Sequence, residues 1–464
     1  SLPKQLKLLV EIIKQFELSK QYLESLQVAI EAEDFEFIRE SFDGVNMADV
    51  AALLEELSFD ESLYVIRSIE TQQSADILIE LEDDTLAKVL KEMQASEKAT
   101  YIEMMDSDDG ADILNLFAER DREDIISYFQ DKVKSDQILE LLRYDEDTAG
   151  GIMAKEYIRA NKNWNVVQTI NEIRRQAENV DKIFSIYVVN NRQILLGRVS
   201  LKKIVLAVEG TKIEDIYEDE VISVPTYMDQ EEVAEIMRKY DLESVPVVNS
   251  KNKLVGRITV DDILDIIMEE AEEDIQAMTG ISDTVDEYDS VFKLSKARLP
   301  WLLIGIVGGL LGAGFIGFFE EGLSKVTALA FFIPLITATG GNVGIQSSSL
   351  VVQSLANKSI FDDSLSRRFI KVFLVAILNG IILATFVFGA VVFFYRSDVA
   401  FALVVSIALF SVVLLASFMG TITPIVLDKI GINPALASGP FITTANDLLG
   451  LAVYFLVAMS LLNI

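Results

Sequence analysis

An aspartate inside an apolar run is the first residue of this chain whose type and place imply chemistry. Asp447 closes the stretch Asn433-Pro434-Ala435-Leu436-Ala437-Ser438-Gly439-Pro440-Phe441-Ile442-Thr443-Thr444-Ala445-Asn446-Asp447, and Leu448-Leu449-Gly450-Leu451-Ala452-Val453-Tyr454-Phe455 follows it. A carboxylate at that depth in a membrane-length segment is costly unless paired or hydrated, so it marks a cation site. The chain has no histidine and no cysteine. That excludes disulfides and the usual ligands of zinc, copper and nickel; the oxygen donors that remain suit magnesium, calcium or manganese. A second apolar run is interrupted between Pro334 and Ser349 by glycines, serines, threonines, Asn342 and Gln346. Helix packing accounts for the small residues, whereas Asn342 and Gln346 fit a wall that faces water.

Outside the apolar runs, Asp106-Ser107-Asp108-Asp109 is a dense acidic group at a helix junction and a candidate ion site. The loose repeat Ala48-Asp49-Val50, Ala75-Asp76-Ile77 and Ala111-Asp112-Ile113 reads differently. Its aspartates suit helix N-termini, where the dipole favours acids. Asp262, Asp265 and Glu269 stand at i, i+3 and i+7 on one face of an acidic helix that also carries Asp261, Glu270, Glu272, Glu273 and Asp274. Like charges so spaced repel unless cations intervene, although a plain solvated face has the same pattern.

The elements that hold these residues follow from composition. Residues 1–296 contain 65 of the 72 acids and 32 of the 40 bases; residues 297–464 contain 7 and 8. An acidic soluble part therefore precedes a nearly neutral apolar one, a balance that argues against nucleic acid and for cations as partners. Residues 1–140 show helical periodicity throughout, as in Leu53, Leu54 and Leu57, and predict a solenoid-like N domain. Residues 141–270 contain a duplication offset by 59 positions. Ser185-Ile186-Tyr187-Val188-Val189-Asn190 returns as Ser244-Val245-Pro246-Val247-Val248-Asn249, and Gly197-Arg198-Val199-Ser200 returns as Gly256-Arg257-Ile258-Thr259. Each copy predicts strand, turn, strand and helix. Residues 271–298 predict a stiff helical connector.

Residues 299–464 hold five membrane-length segments, near 299–319, 326–356, 369–395, 399–427 and 434–462. Lys293, Lys296, Arg298, Lys358, Arg367, Arg368, Lys371 and Lys429 flank them on the side of the soluble part, against Lys325 and Arg396 opposite. That bias predicts a multi-pass protein of the cell membrane, soluble part in the cytoplasm and C-terminus outside.

The duplicated segment, about 147–270, resembles a pair of CBS motifs, an α/β Bateman module. In that family a ribose-binding acid follows the Gly-x-x-Ser/Thr strand by three positions. Asp262 stands there in the second copy and Lys203 in the first, which implies at most one site for ATP. The whole chain is similar to the MgtE family of magnesium channels. Gly340-Gly341-Asn342-Val343-Gly344-Ile345-Gln346-Ser347 carries the resemblance, with Pro434 to Pro440 and Thr443-Thr444 through Asp447. It implies a homodimer in membrane lipid with a pore on the two-fold axis, lined by Gly341, Asn342, Gln346, Thr443, Thr444 and Asp447, the last holding the permeating ion. It also implies regulatory Mg2+ at Asp106, Gly151 (through its carbonyl), Asp229, Glu231, Asp241, Asp262, Asp265, Glu270, Glu273 and Asp274, between N, CBS and connecting (plug) elements. The family often has Asp-Pro where this chain has Asn433-Pro434.

The residues themselves suit a dimer, because two Asp447 carboxylates across an axis match one divalent charge. The function expected is a Mg2+-selective channel that imports Mg2+ down its electrochemical gradient and closes when cytosolic Mg2+ binds. The alternative is a non-conducting membrane sensor whose CBS module reads nucleotide or Mg2+; the broken, polar spans speak against it. An anion channel is disfavoured by Asp447. No histidine, cysteine or Gly-x-x-x-x-Gly-Lys-Ser/Thr loop is present, so no enzyme is expected.

Overall fold

A computed structural model describes residues 20–177, 180, 182–281, 285, 290–356, 365–394 and 398–462. The chain divides into two units, Ser1–Ile267 and Met268–Ile464.

The first unit begins as a run of short helices: α1 (Lys20–Glu31), α2 (Phe35–Ser41), α3 (Met47–Glu55), α4 (Phe59–Ser68), α5 (Thr71–Ile79), α6 (Asp83–Glu92), α7 (Ala95–Ile102), α8 (Ser107–Asn115), α9 (Glu119–Ser127) and α10 (Lys132–Leu141). Local chemistry sets several starts. Asn46 accepts from Ala48 N at 3.0 Å, Asp131 accepts from Val133 N at 2.7 Å, and Ser58 forms a reciprocal box with Glu61. Each satisfies backbone donors that a helix start leaves open. The aliphatic faces of these helices, among them Leu53, Leu54, Ile66, Ile77, Leu78 and Ile138, are buried in a core that continues into Val224, Val245, Ile258 and Ile263. The helical domain and the second repeat are thus parts of one apolar interior, in which each buried Leu or Ile contributes roughly 1.5–3 kcal/mol.

The duplication appears in three dimensions as two three-stranded sheets. One has β1 (Ile158–Asn161), β2 (Ile186–Val189) and β3 (Leu195–Val199), with α11 (Val166–Gln176) and α12 (Leu201–Leu206); the other has β4 (Val224–Pro225), β5 (Ser244–Val248) and β6 (Leu254–Thr259), with α13 (Gln230–Lys239) and α14 (Val260–Thr279). Ile186 pairs with Val199 and Val188 with Gly197 in the first hairpin; Val245 pairs with Ile258 and Val247 with Gly256 in the second. Every partner is displaced by the sequence offset, and the irregularity after Val188 recurs after Val247. The repeat was therefore a repeat of register as well as of residue type.

Among the described residues of the second unit five helices are long and apolar enough to cross a membrane, spanning Val291–Gly317, Thr327–Leu355, Phe369–Phe394, Val399–Lys429 and Pro434–Leu462. The regular elements are α15 (Val291–Gly317), α16 (Glu320–Lys325), α17 (Ile333–Ala356), α18 (Leu365–Phe394), α19 (Val399–Lys429) and α20 (Pro440–Leu462). Helix α19 is the most enclosed: Val405, Ala408, Leu409 and Val412 join Ile336, Leu451, Tyr454 and Phe455 in one buried cluster. Lys358 and Arg396 lie outside the described residues.

The connector departs from the single rod the sequence suggests. Helix α14 ends at Thr279, and Gly280 follows with φ +83°, a left-handed turn that stops a helix. The next helix starts only at Val291, where the Ser290 side chain accepts from Lys293 N. Residues 282–284 and 286–289 of the expected connector lie outside those described.

Candidate ion path and acidic cavity

Helices α17 and α20 pack through small residues, and this brings the intramembrane candidates together. A Cβ built on Gly341 lies 3.3 Å from Thr443 Cγ2 and 4.0 Å from Asp447 Oδ1. Gly341, Thr443 and Asp447 therefore form one cluster, about two helical turns inside α20. Asn342 and Gln346, one turn apart on α17, are exposed on this single chain. Polar side chains exposed in an apolar span require water or protein opposite them. Thr444 is placed differently, with its methyl group against Gly308 of α15. Residue type alone had grouped it with Thr443, but successive helical residues point about 100° apart.

Asn446 was not singled out from the sequence. It is buried, its amide lies against Gly344, and neither of its side-chain polar atoms has a hydrogen-bond partner. Its position beside Asp447 within Thr443-Thr444-Ala445-Asn446-Asp447 was the signal available. Ser348 and Ser438 hydroxyls meet at 3.0 Å, and Ser347 and Ser417 at 3.2 Å, so those serines serve interhelical packing.

The second site is a cavity of about 330 Å³ in the first unit, lined by carboxylates from two sources. Asp76, Asp106, Asp108 and Asp109 come from the helical domain, and Asp261, Asp262 and Asp265 from the start of α14; Lys182 and Arg257 are the basic lining residues. One oxygen each from Asp106, Asp108 and Glu156 lies within 4.8 Å of the others. Glu156 is already engaged: it receives hydrogen bonds from Lys134 Nζ at 2.8 Å and Ser107 Oγ at 2.6 Å. Burial alone would raise its carboxyl, but these partners together hold it below the usual range. Asp108 has no such help. Its Oδ1 is buried without a partner, and burial, then Asp109, Asp262, Glu156 and Asp106, push its carboxyl well above the ordinary carboxylate range. Asp109 is pushed up to about 7 by burial, then by Asp106, Asp262 and Asp112, against the pull of Lys134. Burial also raises Asp262, although its Oδ2 accepts from Thr259 Oγ1 at 2.6 Å and Thr259 N at 3.1 Å. Carboxylates crowded in this way fit a hard cation, which supplies the charge that protons otherwise must.

Several sequence expectations change here. Asp49 does lie in the first turn of α3, but Asp76 and Asp112 lie further along α5 and α8, and Asp76 lines the cavity. Asp108, Asp109 and Asp76 join Asp106, Asp262 and Asp265 as cavity carboxylates. Gly151, Asp229, Glu231 and Asp241 do not line it. Asp229 caps α13 by accepting from Glu231 N at 2.9 Å, Glu231 sits in that helix's first turn, and Asp241 follows the helix with φ +50°. Gly151 lies in a turn where a Cβ would come within 2.4 Å of Asp145 O. Glu270, Glu273 and Asp274 belong to the second unit; Asp274 Oδ1 accepts from Asn433 Nδ2 at 3.1 Å.

Asp262, the expected ribose acceptor of the second repeat, lines the acidic cavity together with Lys182 and Arg257. The corresponding cleft of the first copy, about 320 Å³, contains Arg198, Ser200 and Glu218. Glu218 there pairs with Lys203 at 2.9 Å and with Arg198 at 3.4 Å, and Asp241 and Glu243 line the same cleft.

A helical acidic domain, a CBS pair and five membrane-length helices with an internal carboxylate define a multi-pass membrane transporter. Comparison with known proteins agrees. The MgtE family of divalent cation transporters matches residues 333–457, its intracellular N domain matches residues 45–147, and the CBS domain matches residues 213–269. The magnesium transporter MgtE of Thermus thermophilus is 36% identical over 329 residues, 70% of this chain and 73% of the relative. That of Bacillus subtilis is 32% identical over 71% and 73%. A solved cytosolic domain of the Mg2+ channel MgtE in complex with ATP is 31% identical with TM-score 0.50, covering 53% of this chain and 99% of that one. The soluble part of a magnesium transporter is 28% identical with TM-score 0.51, over 54% and 99%. The chain belongs to the MgtE family of magnesium transporters, and is a transporter rather than an enzyme.

Proposed function

We propose that the protein is a homodimeric Mg2+ channel of the cell membrane, with its soluble part in the cytoplasm and its C-terminus outside. The observation that carries this reading is the cluster of Asp447, Thr443 and Gly341 beside the exposed face of Asn342 and Gln346. Two such faces across an axis enclose a polar path and bring two carboxylates to one divalent ion. Magnesium gives up its water reluctantly, so Asn342, Gln346 and Thr443 act on the hydrated ion through its water shell. The membrane potential drives entry: two charges moving inward gain roughly 4.6 kcal/mol per 100 mV.

Cytosolic Mg2+ closes the channel by binding the acidic cavity, where it joins the helical domain to the start of α14 through Asp108, Asp109, Asp106, Asp262 and Asp265. Glu270, Glu273 and Asp274 extend the acidic face of that helix, and Gly151, Asp229, Glu231 and Asp241 form separate sensor positions around α13. An adenine nucleotide at the second repeat, with its ribose at Asp262, belongs to the same reading, supported by the 31% identical cytosolic domain solved with ATP. The test is Mg2+ uptake by liposomes holding the purified protein, with the soluble part facing either low or millimolar Mg2+. Uptake that millimolar Mg2+ suppresses supports the reading; absence of uptake favours the non-conducting sensor.

A further inference from the structure

Where α14 ends, the chain meets the mouth of its last span through a direct hydrogen bond between two side chains. Asn433 Nδ2 donates to Asp274 Oδ1 at 3.1 Å, while Asn433 Oδ1 accepts from Ala435 N at 2.8 Å. The second bond fixes the first. With the carboxamide oxygen committed to the turn at Pro434–Ala437, the amide NH2 must face Asp274. Flipping the amide would set oxygen against carboxylate and lose both bonds.

The backbone around this pair is equally close. A Cβ on Gly439 would lie 2.6 Å from the Met278 carbonyl oxygen, and one on Gly280 would lie 2.5 Å from Pro440 Cγ. Gly280 also holds φ +83°, so it both ends α14 and admits the ring of Pro440. Three contacts in sequence, Asp274–Asn433, Met278–Gly439 and Gly280–Pro440, seat the end of α14 on the residues that lead into α20.

We propose that Asn433 is a built-in, metal-independent latch between the connector and the mouth of the last span. A carboxylate at position 433 would face Asp274 with like charge and would need a divalent ion between them. The amide supplies the donor covalently, so this contact persists when Mg2+ is absent. Its meaning for gating rests on the channel reading above: the Mg2+ sensitivity of closure then arises in the acidic cavity and not at this mouth. The single-residue choice of amide or acid sets how strongly closure depends on the ion.

Hydrogen exchange by mass spectrometry on the full chain, in EDTA or in millimolar Mg2+, tests this at residues 272–281 and 433–440. The wild type is expected to show equal protection in both conditions. Asp274→Ala, which leaves the cap at Ala435 intact, should exchange about tenfold faster in both, the loss of one charge-assisted hydrogen bond. Asn433→Asp keeps the acceptor for Ala435 N and loses only the donor; it should exchange faster in EDTA and recover with Mg2+. Protection of the wild type only with Mg2+, an unchanged Asp274→Ala, or an Asn433→Asp indifferent to Mg2+ would overturn the latch. Uptake by the same preparations separates the two claims: a failed latch with intact uptake leaves the channel reading standing, and a sound latch without uptake removes only that reading.

Discussion

Lys134 Nζ lies 2.8 Å from Glu156 Oε1 with both side chains about nine-tenths buried. The pair ties α10 to the segment entering the first repeat, and Glu156 also holds Ser107 at the head of α8. Removing one partner leaves the other charged in a dry site. Lys134→Met is therefore expected to lower the stability of the soluble part by about 3–5 kcal/mol. The double variant Lys134→Met with Glu156→Gln should regain most of the loss. Denaturant unfolding of the full chain, followed by the signal of the helical domain, reads both.

The acidic cavity gives a pH dependence with a definite sign. Asp109 is raised from 3.8 to about 7, so between those values the folded chain holds a proton that the unfolded chain has lost. Without Mg2+, stability should fall as pH rises from about 4 to about 7, by an amount on the order of a few kcal/mol. The stabilisation gained on adding Mg2+ should grow over the same window, as the ion replaces protons. Asp109→Asn should flatten both trends and stabilise the Mg2+-free protein. Melting curves from pH 5 to pH 8 with EDTA or Mg2+ check this, and a Mg2+ effect that shrank with rising pH would contradict it.

How much of this was legible beforehand depended on the kind of signal. The duplication was readable because register repeats with sequence: Gly197 and Gly256 occupy the same rung of two hairpins. The membrane segments were readable because hydropathy and length are local properties. Asp447 stood out because it broke an apolar run. The cavity was legible only in part, since Asp76, Asp108 and Asp262 are far apart in the chain and only packing makes them neighbours. Asp76 reads as a helix-start acid only while the helix boundary is unknown; α5 begins five residues before it. The connector reads as one helix in sequence because a lone Gly280 does not announce a left-handed turn. Asn446 escaped notice because an amide in a polar stretch looks ordinary until its burial is known.

A packing prediction follows from that amide. A Cβ on Gly344 would lie 1.9 Å from Asn446 Nδ2, so Gly344→Ala must displace the Asn446 side chain. We expect a cost of about 1–3 kcal/mol from overpacking. Asn446→Ala in the same chain should remove most of it, giving a coupling energy in a double-mutant cycle that Asn446→Ala alone does not show. Thermal unfolding in detergent provides the measurement, and additive effects would place Asn446 away from Gly344.

Exposed Asn342 and Gln346 make a prediction about conduction. Gln346→Leu keeps helix propensity and size but replaces a water-facing amide with hydrocarbon. Uptake of Mg2+ should fall at least about tenfold, as expected if roughly 1.4 kcal/mol of support for the hydrated ion is lost. Replacing the exposed Phe386 of α18 by Leu should leave uptake unaltered.

The most direct test of the whole account is Mg2+ uptake by proteoliposomes containing the wild type or Asp447→Ala. The account requires uptake by the wild type that depends on membrane potential, and its loss in Asp447→Ala with folding and oligomeric state unchanged. Equal uptake by both proteins would contradict the assignment of Asp447 to the ion path.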